Sequence, residues 1–163
     1  MKRLLFALLA VLTLLPLTAC GKSGDGDWKF TANGVTLTVG ETCSDVLKTL
    51  SSSCSKNTPS ASCWEKTGED VVYEYRSLGF RLKTYRKEEN DPNELLRGIE
   101  FLSDTAKTPE GITIGSTEDA VRAAYGTPTK EDGDMLSYVK GKTELQLTVR
   151  DGKVKSIGYF TVG

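Results

Sequence analysis

Thr113-Ile114-Gly115-Ser116-Thr117, followed by Val121 and Tyr125, decides how the fold is read. Thr38-Val39-Gly40-Glu41-Thr42, followed by Val46 and Leu50, occupies the matching positions 75 residues earlier. Each stretch reads as a short extended segment, a glycine turn, a threonine N-cap and an amphipathic helix. A threonine hydroxyl there satisfies one of the orphan backbone N–H groups at a helix start. Thr42 and Asp45 resemble a capping box with Asp in place of Glu. Glu118 and Asp119 fall in the first turn of the second helix, where acids suit the helix dipole. Val46, Leu47 and Leu50 make one apolar stripe, and Ala120, Val121, Ala124 and Tyr125 the other. Gly126 and Pro128 stop the second helix.

Alternating strands follow each helix. Val71, Tyr73 and Tyr75 alternate with Val72, Glu74 and Arg76, and Phe80, Leu82 and Thr84 with Arg81, Lys83 and Tyr85. Ile99 and Phe101 mark a third strand. Downstream, Leu136 and Tyr138 precede Leu145, Leu147 and Val149, and Val154 to Phe160 follows the turn Asp151-Gly152. Asn33-Gly34, after Trp28 and Phe30, is another hairpin signal. The pairs Tyr73/Tyr138 and Phe80/Leu145 match at an offset of 65, so the earlier segment holds ten more residues between helix and sheet. Cys54 and Cys63 lie in that insertion. The expected class is α+β: two tandem units, residues 28–106 and 107–163, each with helices packed on an antiparallel meander sheet.

Upstream of these units the sequence has the pattern of an export signal. Met1-Lys2-Arg3 is basic, Leu4 to Leu15 is apolar apart from Thr13, and Leu17-Thr18-Ala19 leads into Cys20. The apolar run is shorter than the roughly 20 residues that span a bilayer. The stretch resembles the lipoprotein signal family, whose cysteine carries a diacylglyceryl thioether and becomes the new N-terminus. The resemblance implies cleavage after residue 19, lipidation of Cys20 including a palmitate-type acyl chain, and attachment to the outer face of the cell membrane. Gly21 in place of an Asp leaves the outer membrane open as a destination. Residues 20–27, rich in Gly, Ser and Asp, read as a flexible tether.

Composition narrows the chemistry. The chain has 21 basic and 22 acidic residues, and loss of residues 1–19 removes only Lys2 and Arg3, leaving 19 against 22. That balance argues against a nucleic acid partner. There is no histidine, which removes Ser-His-Asp and Cys-His sites and the commonest metal ligand. No metal or cofactor is expected. With Cys20 lipidated, Cys43, Cys54 and Cys63 remain. An exported protein permits a disulfide. Three single pairings are open and sequence alone does not choose between Cys63 and Cys43 for Cys54. Cys54 with Cys63 is favoured, because a staple would order the Ser-, Asn- and Pro-rich stretch between them, and Cys43 is then a small buried residue.

Ile114-Gly115-Ser116-Thr117, Val121, Tyr125-Gly126 and Pro128 together resemble the small outer-membrane assembly lipoproteins of the BamE/SmpA type. The tandem arrangement with a cysteine-bearing insertion resembles β-lactamase inhibitor proteins. These resemblances imply a non-enzymatic, partner-binding role, with inhibition of a secreted enzyme as one form of it. They carry over no binding residue.

Ser53-Cys54-Ser55-Lys56 and Lys66-Thr67-Gly68 fit fragments of serine acyl-enzyme motifs, but they nearly abut and the S-D-N element is missing. Glu88, Glu89, Asp91 and Glu94 crowd around Pro92 and read as a solvated loop. A positive candidate is the sheet face turned away from the helices. Arg76, Arg81, Lys83, Tyr85 and Arg150 are its expected partner-binding residues, because arginine and tyrosine are favoured interface anchors. The expected function is a membrane-anchored, non-enzymatic protein-interaction module with an unknown protein partner. The alternative is an envelope sensor for a small ligand or peptide, with the Cys54–Cys63 loop and Trp64 forming the pocket mouth.

Overall fold

A computed structural model describes residues 26–163. The expected signal, the expected lipidation site Cys20 and most of the expected tether lie outside the described residues. Strands β1 (Phe30–Ala32) and β2 (Val35–Leu37) form a hairpin on Asn33-Gly34, whose φ angles of 48° and 80° suit that residue pair. Helix α1 (Ser44–Leu50) runs into a 3-10 turn, Ser51–Ser53. Then come β3 (Lys56–Ala61), β4 (Glu69–Tyr75), β5 (Phe80–Arg86) and β6 (Leu95–Phe101). Helix α2 (Glu118–Tyr125) precedes β7 (Lys130–Asp132), β8 (Met135–Lys140), β9 (Thr143–Arg150) and β10 (Lys153–Thr161).

The expected class is corrected by this architecture. The described residues are mostly β, with one antiparallel sheet of eight strands in the order β3-β4-β5-β6-β10-β9-β8-β7 and, among them, two short helices of seven and eight residues. It is not two units with helices on separate sheets. The physical reason is the seam between β6 and β10, where Glu100, Ile99 and Gly98 pair with Gly158, Tyr159 and Phe160. Pairing these strands removes two edges that separate sheets would leave open. The helices are also too short to cover the sheet. The serine run Ser51-Ser52-Ser53 ends the first, since serine competes for backbone bonds, and Gly126, at φ 76°, ends the second. The β1–β2 hairpin and the loop residues Ala106 and Ile112 supply the missing cover.

A single core results. Phe30 sits 5.1 Å from Phe80, 5.2 Å from Phe101 and 6.0 Å from Tyr159, measured between ring centroids. It thereby ties strands of both halves to the hairpin. Leu82, Ile99, Leu145, Leu147 and Ile157 are buried around it. The outer strands are protected against further pairing: β3 carries Pro59, and β7 is Lys130-Glu131-Asp132.

The first helix begins one residue later than its pattern suggests. Gly40 N–H donates to Leu96 O, Leu96 N–H to Glu41 O, and Cys43 N–H to Glu94 O. These bonds hold the segment extended along β6, so Thr42 forms a bridge with Leu95 and Cys43 becomes the N-cap, without a side-chain cap. Thr117 does cap α2, accepting the Ala120 N–H at 3.2 Å. Ala120 and Ala124 are exposed, so α2 packs through Val121 and Tyr125.

Candidate interaction face

The face of the sheet away from the core is built by strand alternation. Phe80, Leu82 and Thr84 of β5 point inward and are buried, so Arg81, Lys83 and Tyr85 point outward. Glu100, opposite Arg81 on β6, accepts from Arg81 Nε at 2.6 Å and from Lys83 Nζ at 2.5 Å. Burial alone would raise the Glu100 carboxyl, but the bonds from Lys83 and Arg81 outweigh it and hold it below the ordinary carboxylate range.

Beside this ion cluster, Arg97 lies over the Tyr85 ring at 5.4 Å and bonds Glu65 at 2.7 Å. Tyr85 OH donates to Thr67 O at 3.1 Å. Both contacts pin the loop between β3 and β4 against the face. Asp70 holds the start of that loop, accepting from Ser62 Oγ and Cys63 N–H, each at 3.0 Å. Trp64 is nevertheless 84% exposed. The loop is fixed while its aromatic side chain is left to solvent. Trp64, Asp70, Val72, Lys83, Arg97 and Phe160 line a groove of about 360 Å³. A second depression of about 320 Å³ lies across Phe160, lined by Arg81, Glu100, Met135, Gln146 and Thr148.

Of the expected partner-binding residues, the structure gathers Arg81, Lys83 and Tyr85. Arg76 and Arg150 lie at the opposite end of the sheet from Trp64, bonded to Glu74 and Asp134, each at 2.9 Å. They do not join the groove. Arg97 and Phe160 do, and neither was singled out in the sequence. Arg97 is the extra residue at the irregularity in β6, skipped between the pairs Thr84–Leu96 and Lys83–Gly98, and Phe160 gains its place only from the β6–β10 seam.

The expected Cys54–Cys63 staple is corrected. Cys43, Cys54 and Cys63 are free thiols. Cys54 precedes β3 and Cys63 follows it, and the six extended residues between them cover about 17 Å, far beyond disulfide reach. The polar stretch is an edge strand rather than a loop. The same strand separates Ser53 and Lys56 from Lys66-Thr67-Gly68, so the acyl-enzyme fragments do not converge. The acidic crowd around Pro92 is also not simply solvated. Asp91 accepts the N–H groups of Lys87 and Asn93, and Glu94, 4% exposed, accepts from Thr84 Oγ1 at 2.5 Å and Tyr73 OH at 3.4 Å. Burial, reinforced by Glu94, pushes the Cys43 thiol up to about 12.

No family model, no curated protein and no solved structure matches this chain.

Proposed function

We propose that this chain is a membrane-anchored extracytoplasmic lipoprotein, held by a diacylglyceryl group on Cys20, that works as a non-enzymatic protein-interaction module. The observation that carries the reading is Trp64, 84% exposed on a loop pinned by Arg97, Tyr85 and Asp70 beside an apolar-floored groove. Ordering a side chain at an interface costs roughly 0.5–1.5 kcal/mol, and a loop held in place beforehand reduces the ordering that binding requires. Exposed tryptophan with flanking arginine is the composition of interface anchors. The stretch Leu17-Thr18-Ala19-Cys20 supports the location, and two acyl chains make such attachment stable.

A second reading, an envelope sensor for a small ligand or peptide, is favoured by the size of the groove. Its volume, about 360 Å³, falls in the range of small-ligand sites. Trp64 emission separates the two: titration with envelope peptides shifts it under the sensor reading. For the module reading, Trp64→Ala and the triple change Arg81→Ala, Tyr85→Ala, Arg97→Ala are compared in co-purification from solubilised membranes. Loss of the same companion protein with Trp64→Ala supports the groove. Unchanged recovery with both variants refutes the face.

A further inference from the structure

The end of the sheet where the N-terminal chain joins the body carries a surface of its own. Asp27 Oδ1 accepts the Lys142 N–H at 2.5 Å, Trp28 N–H donates to Thr143 Oγ1 at 2.6 Å, and the Trp28 indole donates to Tyr138 O at 2.7 Å. Lys140 Nζ stands 5.0 Å from the centre of the Trp28 ring. The turn between β8 and β9 is therefore the fixed point of departure for the preceding chain, and Asp27, read from sequence as tether, is docked. Val162 N–H donates to Lys142 O at 2.9 Å, which places the end of β10 against the same turn. Val139 and Val162 are 40% and 43% exposed. Lys29, Lys140 and Lys142 form no ion pair among the described residues. Two acids lie close by, Asp27 on the Lys142 N–H and Glu144 opposite Val139 across β8–β9, so the three lysines leave an excess of one positive charge at this end.

We propose that this end, formed by Lys29, Val139, Lys140, Lys142 and Val162, docks on the anionic headgroup layer of the bilayer. The inference rests on the anchored-lipoprotein reading. Seven residue steps separate Cys20 from Asp27. A fully extended chain covers at most about 3.6 Å per residue, so the β8–β9 turn stays within about 25 Å of the anchor. A body of this length has a radius of gyration of roughly 14 Å, so the tether is short against the body's own width. The unpaired lysines are thus held where anionic headgroups attract them, within reach of a surface potential that decays over roughly 8–10 Å. The two valines suit the apolar boundary beneath. Thr161 borders the Trp64 groove and adjoins Val162, so a partner in that groove is met at the membrane surface.

The test uses the processed, full-length protein in phosphatidylcholine vesicles with and without phosphatidylglycerol. A water-soluble amine-acylating reagent is applied, and modification of each lysine is read by mass spectrometry. Lys153 and Lys155, exposed at the start of β10 at the far end of the sheet, are the controls. In anionic vesicles Lys140 and Lys142 are expected to react roughly fivefold more slowly than in detergent, with Lys153 and Lys155 unchanged. The protection is expected to fall away in neutral vesicles. Equal rates at both ends, with an acylated Cys20 peptide in the same digest, overturn the docking surface and leave the anchor standing. An unacylated Cys20 peptide overturns the anchor and the surface together.

Discussion

The ring of Phe160 lies against the backbone of Gly98, its partner across the β6–β10 seam, with ring carbons 3.3 Å from where a Cβ on Gly98 would stand. The same ring covers Gly158 on its own strand, at 2.6 and 2.7 Å from the equivalent position. A glycine weakens a strand because it has no side chain to pack, and an aromatic laid across it restores that contact. Phe160 thus serves the seam that joins the two halves of the sheet and the floor of the groove beside Trp64.

Gly158→Ala is expected to destabilise the protein by about 1–3 kcal/mol, because the added methyl must displace the Phe160 ring. Gly98→Ala should cost less, since a shift of a few tenths of an ångström accommodates it. Urea unfolding followed by circular dichroism ranks the two. The reverse order would mean that the ring does not lie over Gly158.

Phe30→Ala is expected to cost about 3–5 kcal/mol. Phe30 is 1% exposed and touches Phe80, Phe101 and Tyr159, so its removal opens a cavity shared by both halves. A single cooperative transition, shifted to lower denaturant, is the expected result. Two separated transitions would show that the halves hold independent cores.

The strands of this sheet are legible in the sequence because their buried faces alternate without interruption, as in Leu145, Leu147 and Val149. The hairpin turns are legible because Asn33-Gly34 and Asp151-Gly152 occupy positive φ at both positions. What is not legible is how the two meanders meet. The seam rests on three residue pairs far apart in sequence, and nothing local in Gly98 or Phe160 announces them. β3 is hidden for another reason. Lys56-Asn57-Thr58-Pro59-Ser60-Ala61 is exposed throughout, so it has no apolar period, and only its pairing with β4 makes it a strand. The misplaced disulfide follows from that error. The outward residues Arg81, Lys83 and Tyr85 are legible from alternation, whereas the groove depends on a loop folding back through Arg97 and Glu65.

Thiol labelling under native conditions is expected to divide the cysteines. Cys63 is exposed and should react readily, while Cys43 is buried with its thiol pushed up to about 12 and should react only on unfolding. Only the thiolate is the nucleophile, so both exposure and the low thiolate fraction protect Cys43. Absence of a reactive thiol at Cys63 before reduction would restore a disulfide at that residue.

Glu100 should give the open face a pH dependence. Its carboxyl sits below its unfolded value, so its bonds with Arg81 and Lys83 contribute stability above the unfolded value near pH 4.3. That contribution is lost as pH falls through the folded value. Glu100→Gln is expected to cost about 1 kcal/mol near neutrality, reduced by solvent around the half-exposed Arg81 and Lys83, and progressively less in acid. Urea midpoints of both proteins across acid to neutral pH measure the gap. A gap that widens on acidification would contradict the assignment.

The most direct measurement is photo-crosslinking in cells from a benzoylphenylalanine placed at Trp64, compared with the same group at Lys155 on the far end of the sheet. A discrete adduct with one extracytoplasmic protein from position 64, absent from position 155, is the predicted result. Adducts no stronger from position 64 than from position 155, with both proteins folded and membrane-bound, would contradict an interaction face at the Trp64 groove.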